Sequence, residues 1–480
     1  MCGIVGFIDN KSIDSKNEII EKMMETIVHR GPNSSGSHVD SQAALGFRRL
    51  SIVDLEGGSQ PIYNEDKTMV ITFNGEIYNH LELREDLISK GHVFTTHADT
   101  EVLLHGYEEY GAELLKKVRG MFAFVIWNTQ TNELFGARDH FGIKPLYYTE
   151  MNGSFIYGSE IKSFLQHPEF KKELNKEALR PFMTFQYSAL DETFFKNVYR
   201  IKEGHYFTYK NGVLEIKQYW DVKDNEKNMS LAETVDLIDK SVQESIDIHK
   251  NADVEVGSFL SSGVDSSYVA TVLRPNKTYS IGFGDKTFNE SVEAKALTDM
   301  IGLKNESRVI EGEESFMNFP LIQYHLDEPD SNPSCVPLFF LSELASRDVR
   351  VVMSGEGADE LFGGYQTYGF YTKSKLIRQT TALLKKLPKK ARYSLASFIK
   401  DKEFPGSLHM YSNLAPAEES FIGNAKVFEE KEALEYLTSE YSKSPSVSDI
   451  VNKQYKKVRG LSELKKKKYL DFHQWMPKDI

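Results

Sequence analysis

Short runs of alternating apolar and polar residues, separated by Gly, Asn and Asp, dominate the chain up to about residue 209. The runs at residues 69–73 and 121–127 are typical and predict strands. Apolar residues at helical spacing predict helices over residues 16–28, 81–90 and 100–110. This order predicts an α+β domain built from layered antiparallel sheets.

The pattern loosens after residue 212 into a polar stretch, residues 213–229, which we interpret as a linker. A long amphipathic helix is predicted to begin after Ser230, where a Glu three residues later completes a capping box, and to end near His249. We therefore divide the chain into a first domain of residues 1–212 and a second domain of residues 230–480.

The second domain has a different pattern, in which buried strands alternate with helices. Apolar runs at residues 254–260, 278–283 and 349–353 predict strands, and residues 266–273 predict the helix that follows the first of them. Strands that alternate with helices form parallel sheets, so we predict a doubly wound α/β domain. Ligands of such domains bind beyond the carboxyl ends of the strands.

Composition and charge narrow the function classes. The 480 residues are 40% hydrophobic and 27% charged, as in globular enzymes. The net charge of −12 argues against a nucleic-acid-binding surface, because phosphates attract positively charged proteins. We interpret the basic runs at residues 373–400 and 465–468 as solvated helix faces. The sequence contains no apolar run of membrane-spanning length and no secretory signal pattern.

The chain has two cysteines, Cys2 and Cys335. Cys335 lies in an apolar segment and is predicted to be a buried, inert thiol. Cys2 follows Met1, so removal of Met1 would leave its thiol beside a free α-amine. The amine titrates near pH ~8 and the thiol near ~8.5, so at neutral pH part of the amine can accept the thiol proton. A catalytic Cys2 would leave Cys335 without a disulfide partner, which fits a reducing cytoplasm.

Three further segments carry groups that a thiol nucleophile acting on an amino-acid amide could use. Arg49 belongs to a segment of guanidinium groups that can grip a carboxylate. Asn74 and Gly75 follow a predicted strand, where a side-chain amide and a backbone N–H can form an oxyanion hole. Asp99 can bind an α-ammonium group. Each segment also has a purely structural interpretation, as a surface Arg pair, a hairpin turn and a helix start respectively.

Together and in this order, several segments closely resemble class II glutamine amidotransferase domains: residues 2–6, 29–32, 49–54, 60–64, 74–79 and 120–124. The resemblance implies an Ntn-hydrolase-like fold in which the terminal Cys attacks the glutamine amide, releases ammonia and leaves a thioester that water clears. It assigns the nucleophile to Cys2 and the oxyanion hole to Asn74 and Gly75. It also implies that glutamine is recognised by Arg49, Leu50, Ser51, Ile52, Val53, Asn74, Gly75, Glu76 and Asp99.

Small residues at positions 261–267 lie between a predicted strand and a predicted helix. They let backbone N–H groups approach an anion, and the helix N-terminus adds partial positive charge. The segment lacks the Lys of a P-loop, and Asp265 beside phosphates makes sense only if Mg²⁺ bridges them. A Ser-rich helix cap is the alternative. Residues 351–365 repeat the arrangement with three carboxylates.

These two segments resemble the PP-loop ATP pyrophosphatase domain of asparagine synthetases, and the whole chain resembles the glutamine-hydrolysing asparagine synthetase family. The resemblance implies that ammonia from glutamine attacks a β-aspartyl-AMP made from aspartate and ATP, giving asparagine, glutamate, AMP and pyrophosphate. It implies that Asp265 and Asp359 bind Mg²⁺ and that Glu356 assists adenylate formation or deprotonates the amine. The residues implied to contact ATP are Leu260, Ser261, Gly263, Asp265, Ser266, Ile281, Ser354 and Gly355.

The expected partners are therefore glutamine, aspartate and ATP, without nucleic acid or membrane, and a homodimer is left open. Two departures from the family pattern stand out. Ser262 occupies a place that is usually Gly. Family members also continue beyond residue 480, and residues 455–480 are predicted to be a helix interrupted in mid-pattern. Two other functions remain open: amidation of another carboxylate, and a non-enzymatic relic.

Overall fold

The computed structural model describes residues 1–9, 15–285 and 289–479. The chain divides into two compact units. The larger unit comprises Met1–Leu174, Asp191–Glu328 and Pro333–Gly355. The smaller unit comprises Asn175–Leu190, Pro329–Asn332 and the residues from Glu356 to the end of the described chain.

The strands formed by the described residues all belong to the larger unit. They are β1 (Gly3–Asp9), β2 (Ser34–Val39), β3 (Ala43–Arg49), β4 (Ile62–Tyr63), β5 (Met69–Ile77), β6 (Gly120–Asn128), β7 (Glu133–Arg138), β8 (Tyr147–Met151), β9 (Ser154–Gly158), β10 (Val198–Arg200), β11 (His205–Lys210), β12 (Val213–Gln218), β13 (Val256–Phe259), β14 (Lys277–Phe283), β15 (Lys304–Ile310) and β16 (Val351–Met353).

The helices occur in both units. They are α1 (Lys16–Glu25), α2 (His80–Ser89), α3 (Asp99–Tyr110), α4 (Leu179–Phe185), α5 (Leu231–His249), α6 (Val264–Leu273), α7 (Ser291–Ile301), α8 (Gly312–Leu326), α9 (Cys335–Ser346), α10 (Ala358–Phe362), α11 (Lys375–Leu384), α12 (Lys389–Ile399), α13 (Ser407–Leu414), α14 (Ala417–Ser420), α15 (Glu430–Tyr436), α16 (Val447–Tyr455) and α17 (Glu463–His473).

Two antiparallel sheets form the first part of the larger unit. Their strand orders are β10-β8-β9-β1-β3-β2 and β12-β11-β7-β6-β5-β4. Apolar residues from both sheets, including Leu45 and Trp127, pack together between them. On the outer faces, α1 covers Phe7 of the first sheet, and α2 and α3 cover Phe73 of the second. This layered arrangement confirms the predicted α+β fold.

The parallel sheet has the strand order β15-β14-β13-β16. Helix α5 precedes it and begins with the predicted capping box: Ser230 Oγ accepts from the Glu233 N–H at 3.3 Å, and the Glu233 carboxylate accepts from the Ser230 N–H at 2.8 Å. Helices α6 to α9 connect the strands. The predicted parallel α/β sheet is therefore confirmed.

The predicted linker needs a correction at its start. Residues 213–218 form β12, which pairs with β11 along its whole length. Asn211 and Gly212 both have positive φ, 52° and 75°, as a two-residue Asn-Gly hairpin turn requires. The second antiparallel sheet thus extends to Gln218. The boundary between the two functional domains stays a prediction.

The smaller unit is helical among its described residues, with a core that includes Phe185, Tyr368, Tyr455 and Leu470. The prediction of one helix over residues 455–480 is wrong. The helix beyond Gly460 starts afresh with Ser462 as its N-cap and ends at His473, and Ile480 lies outside the described residues.

Two lysines of the basic run at residues 465–468 are buried, which corrects their interpretation as a solvated face. Lys466 binds the Glu418 carboxylate at 2.9 Å. Lys467 donates to the carbonyl oxygens of Tyr368 and Ser412. Burial lowers the pKa of Lys467 to about 8.

None of the described helices has the length and apolar composition that crossing a membrane requires.

Candidate functional site

Cys2 precedes β1, and the pairing of that strand with β3 places it beside Leu50. The register aligns Gly3 with Arg48, so the residue before Gly3 lies next to the end of β3. The Leu50 N–H donates to Cys2 Sγ at 3.4 Å, and the thiol donates to the Leu50 carbonyl at 3.6 Å. Arg30 Nε donates to the Cys2 carbonyl at 3.0 Å. The predicted nucleophile therefore touches the predicted glutamine segment.

The pKa values of the Cys2 thiol and of the terminal amine are shifted in opposite directions. Burial is the largest influence on the Cys2 thiol and raises its pKa, so the thiol holds its proton at neutral pH. Burial, followed by the positive charge of Arg30, lowers the pKa of the terminal amine on Met1 to about 5. An amine in this environment is neutral at pH 7 and can accept a proton.

Asn74 lies on β5, paired with Ala123 of β6, and is 1% exposed. Its side-chain Nδ2 has no hydrogen-bond partner within the part of the chain that the structure describes. A buried donor left unpaired costs about 1–3 kcal/mol, so such a group calls for an explanation, and a role in binding substrate is one. A developing oxyanion is a suitable acceptor.

Gly75 follows Asn74 at a point where the strands are too close for a side chain. A Cβ there would lie 2.1 Å from the Met121 carbonyl oxygen. The Asn-Gly pair is therefore part of a continuous strand. Its interpretation as a hairpin turn is wrong, because β5 runs through it to Ile77.

Glu76 and Asp99 are two buried carboxyl groups whose pKa values are raised. Burial raises the pKa of Glu76 to about 7, with opposing contributions from Lys144 and Asp99. Burial likewise raises the pKa of Asp99 to about 6, although its carboxylate accepts from the Ile77 N–H at 2.8 Å. Raised acid pKa values in a buried cluster mark sites where a bound cation can restore the ionised form.

Arg49 holds the loop that follows β3. Its guanidinium donates to the carbonyl oxygens of Val53 and Leu55, at 3.3 and 3.2 Å, and to that of Asp54. This arrangement fixes the backbone of residues 50–55. The direct grip of Arg49 on a glutamine carboxylate stays a prediction.

The loop of residues 50–55 is also supported by three residues that the sequence did not point to. Asn33 Oδ1 accepts from the Ser51 N–H at 3.0 Å, Arg350 Nη1 donates to the Ser51 carbonyl at 3.0 Å, and the Asp253 carboxylate accepts from the Asp54 N–H at 2.7 Å. Ile52 also accepts a hydrogen bond through its carbonyl, from the Asp253 N–H. Asp253 and Arg350 come from the segments before β13 and β16, so only the folded chain brings them here.

Lys144 is a further buried charge that the sequence did not single out. Its Nζ donates to Met1 Sδ at 3.2 Å, and the charge of Glu76 acts on it. Asp139 accepts the Lys144 N–H at 2.9 Å and so shapes this loop. A lone Lys between Ile143 and Pro145 carries no sequence signal for such a position.

The predicted phosphate loop joins β13 to α6 and is exposed from residue 261 to residue 265. Ser266 Oγ accepts from the Ser261 N–H at 3.1 Å, and Ser261 Oγ accepts from the Gly263 N–H at 3.1 Å. The Ser262 N–H donates to the Glu290 carboxylate at 3.1 Å. Ser262 is exposed, so its side chain does not fill the loop.

Gly355 follows β16 and lies against the start of α6. A Cβ at Gly355 would be 2.8 Å from Ser266 N and 2.9 Å from the Asp265 backbone. Ser354 precedes it and is exposed. The ends of two neighbouring parallel strands thus bring predicted ATP residues together at the carboxyl edge of the sheet, where such folds bind ligands.

The remaining predicted ATP residues lie on this sheet. Leu260 is buried and its N–H donates to the Tyr279 carbonyl at 2.9 Å. Ile281 is half-buried on β14. The exposed Asp265 carboxylate beside a helix N-terminus and small residues fits a magnesium nucleotide, since Mg²⁺ prefers carboxylate and phosphate oxygens.

Glu356 and Asp359 belong to the smaller unit. Partial desolvation, together with the negative charges of Glu360 and Asp359, raises the pKa of Glu356. Gly364 leaves space for Asp359, since a Cβ on Gly364 would be 1.9 Å from Asp359 Oδ1. The roles of Glu356 in catalysis and Asp359 in metal binding stay predictions.

Cys335 is the first residue of α9 and is half-buried, which corrects the prediction of a buried thiol. Both cysteines are free thiols.

Comparison with known proteins covers nearly the whole chain. A family model described as a glutamine amidotransferase domain matches residues 1–220, and one described as asparagine synthase matches residues 237–480. Asparagine synthetase [glutamine-hydrolyzing] 1 of Bacillus subtilis is 39% identical over all of this chain and 76% of its own length. A putative asparagine synthetase [glutamine-hydrolyzing] of Methanocaldococcus jannaschii is 31% identical over 86% of this chain and 83% of its own length.

Among solved structures, the glutamine phosphoribosylpyrophosphate amidotransferase of B. subtilis, complexed with ADP and GMP, is 15% identical. The match covers 64% of this chain and 65% of that chain, with a TM-score of 0.35.

Proposed function

Because the chain belongs to the glutamine-hydrolysing asparagine synthetase family, we propose that it converts aspartate to asparagine with glutamine as nitrogen donor and ATP as energy source. The products are glutamate, AMP and pyrophosphate. The observation that carries the proposal is a pair of groups in the same domain. The Cys2 thiol contacts Leu50, and the side-chain nitrogen of Asn74 has no hydrogen-bond partner among the described residues. Together these groups provide a nucleophile and an oxyanion donor for amide cleavage.

In the glutaminase half, Cys2 Sγ attacks the side-chain carbonyl of glutamine. The terminal amine that removal of Met1 creates takes the thiol proton and passes it to the departing ammonia. Asn74 Nδ2 and the Gly75 N–H stabilise the tetrahedral oxyanion. Water then hydrolyses the thioester, releases glutamate and returns the proton to the thiol.

Glutamine is held through its α-substituents. Glu76 and Asp99 bind the α-ammonium, and Arg49 with the backbone of Leu50 to Val53 binds the α-carboxylate. The bonds from Arg49 to the loop carbonyls support this role, because they keep the loop backbone in a fixed conformation before substrate binds.

In the synthetase half, the loop of Ser261, Gly263 and Ser266 cradles pyrophosphate oxygens. Leu260, Ile281, Ser354 and Gly355 contact the rest of the nucleotide. Asp265 would hold Mg²⁺, and the metal would neutralise phosphate charge. Asp359 is proposed as a metal ligand and Glu356 as the acid–base group at the aspartyl centre.

The free thiols of Cys2 and Cys335 support a reducing compartment, and we propose the cytoplasm. A homodimer and the absence of nucleic-acid partners remain predictions.

An assay of the purified chain with glutamine, aspartate and MgATP tests the whole function. Glutamate, asparagine, AMP and pyrophosphate should appear together. Glutamate without asparagine or pyrophosphate would contradict the synthetase half. ATP–pyrophosphate exchange that does not require aspartate would point to another carboxylate as acceptor.

Glutamine binding should weaken as the pH falls from about 8 to about 5.5. Glu76 and Asp99 bind an ammonium group only when ionised, and with pKa values of about 7 and about 6 their ionised fraction falls across this range. The α-ammonium of glutamine stays charged throughout. Calorimetry on the Cys2→Ala chain, which measures binding without hydrolysis, should show Kd rising roughly tenfold or more.

The matched variant for this titration is Glu76→Gln, which removes the group with the higher pKa. It should bind glutamine more weakly at pH 8 and show its remaining pH dependence only near pH 6. A Kd that stays constant from pH 8 to pH 5.5 in the parent chain would show that these carboxyl groups do not bind the ammonium.

MgATP binding should depend on Asp265. Without its carboxylate the metal loses a protein ligand, so Asp265→Asn should weaken MgATP binding at least about tenfold, or about 1.4 kcal/mol, while binding of metal-free ATP changes little. Calorimetric titrations with Mg²⁺ and with a chelator measure both. Asp299→Asn, an exposed carboxylate on α7, is the control. An unchanged gain from Mg²⁺ in Asp265→Asn would refute the assignment.

A further inference from the structure

Four side chains on the outer side of the second sheet bring their ligand atoms within 4.8 Å of one another: Glu65, His92, His105 and Glu108. We call them the two-His, two-Glu cluster. Glu65 lies in the turn between β4 and β5, His92 in the loop after α2, and the other two on α3. The reaction proposed above uses none of them.

His105 is the centre of the cluster and is completely buried. Neither of its ring nitrogens makes a hydrogen bond to any described residue. Nδ1 lies 3.6 Å from a Glu65 oxygen and 3.6 Å from a Glu108 oxygen. An imidazole that is buried without hydrogen bonds is costly, and a metal bound at Nδ1 would satisfy it.

His92 completes the group, with its ring centroid 5.1 Å from that of His105. Its Nδ1 lies 3.8 Å from Glu65 Oε1 and 3.7 Å from Glu108 Oε2. These separations are too long for hydrogen bonds. In a tetrahedral zinc site with ligands about 2.0–2.2 Å from the metal, neighbouring ligand atoms lie about 3.4 Å apart, which is close to these separations. One ligand atom from each of the four residues lies within 4.8 Å of the other three, so the cluster is of roughly the right size for one cation.

The residues around the cluster orient its ligands. Glu101 Oε1 faces His105 Nε2 at 3.5 Å, and the Glu101 carboxylate accepts from the N–H groups of Thr95 and Thr96 at 2.7 Å each. A carboxylate behind a His favours a proton on the facing nitrogen and so leaves the lone pair on Nδ1 for a metal.

The two glutamate ligands are also held in place. One oxygen of Glu65 accepts from the Val93 N–H at 2.8 Å, and one oxygen of Glu108 accepts from Asn64 Nδ2 at 3.2 Å. In each case the other oxygen faces His105 Nδ1. With Glu101 and Glu109 nearby, carboxylates outnumber imidazoles, so a divalent cation would also balance the charge.

We propose that the two-His, two-Glu cluster is a structural site for a first-row divalent transition metal of the zinc type. Two imidazoles with two carboxylates suit Zn²⁺ better than Mg²⁺ or Ca²⁺, which prefer oxygen ligands alone. The metal would tie the β4–β5 turn and the loop after α2 to helix α3, whose first residue is Asp99. It has no part in the chemistry at Cys2.

Zn²⁺ and Co²⁺ alone serve as probes, on the full chain without an affinity tag. The chain is first freed of metal by chelation, then incubated with Zn²⁺ and dialysed. We expect it to retain one Zn²⁺ per chain by plasma mass spectrometry. Excess Zn²⁺ should raise Tm by about 5 °C. Co²⁺ should give visible d–d bands without a thiolate charge-transfer band, because the ligands are nitrogen and oxygen. The Cys2→Ala chain should bind the same equivalent.

His92→Gln is the main variant, because His92 lies at the edge of the cluster and its loss spares the buried core. It should weaken Zn²⁺ binding at least about 100-fold and remove the gain in Tm. Glu65→Gln should act in the same direction. His97→Gln, an exposed residue of the same loop, should bind like the parent chain. Absence of a stoichiometric metal, or equal binding by His92→Gln and the parent, would overturn the proposal, as would a thiolate band lost in Cys2→Ala.

Discussion

Replacing Cys2 by Ala should eliminate glutamine hydrolysis, with kcat falling at least about 10⁴-fold. The variant lacks the thiol that contacts Leu50, and Ala cannot form a thioester. Glutamate release by the purified chain measures the loss. Glutamine should still bind, because its α-substituents contact other residues. Its Kd, measured by calorimetry, should therefore change little.

Cys335→Ala is the matched control, since it removes the other free thiol, at the start of α9. It should retain the parent rate. The intact mass of the active chain should also lack one Met residue, because only a terminal Cys2 has the adjacent amine. Substantial glutaminase activity in Cys2→Ala, or full activity in a chain that keeps Met1, would refute the terminal-nucleophile mechanism.

Much of the site could be predicted because its motifs are local. Cys2 is marked by its position behind Met1, and Asn74 and Gly75 by their position directly after an apolar run that predicts a strand. The capping box at Ser230 is equally local, since it depends on residues three apart. In each of these places the chemistry and the backbone conformation depend on neighbours in sequence.

Contacts between distant segments could not be predicted in this way. Arg350 lies 299 residues from Ser51, whose carbonyl it binds, and nothing in either local pattern indicates the pair. The burial of Lys467 depends on Tyr368 and Ser412, which come from other segments of the smaller unit. Tertiary packing decides such positions, and a single sequence does not reveal it.

Asn74→Ala should lower kcat for glutamine hydrolysis about 10²–10³-fold, or about 2.7–4 kcal/mol, with a smaller change in KM. The side-chain Nδ2 is buried without a partner among the described residues, so its hydrogen bond forms when negative charge develops on the substrate oxygen. A donor that acts mainly in the transition state affects kcat more than ground-state binding. Steady-state glutamate release over a range of glutamine concentrations separates the two constants.

Thr72→Val distinguishes loss of this donor from general damage to β5. Thr72 is fully buried two residues before Asn74, so it lies on the same face of the strand, and Val has nearly the same shape without the hydroxyl. We expect Thr72→Val to keep kcat within a few-fold of the parent. Equal losses in the two variants would mean that strand packing, rather than an oxyanion donor, explains the effect. A loss in Asn74→Ala confined to KM would instead make Asn74 a substrate-binding group, because uniform binding changes KM alone.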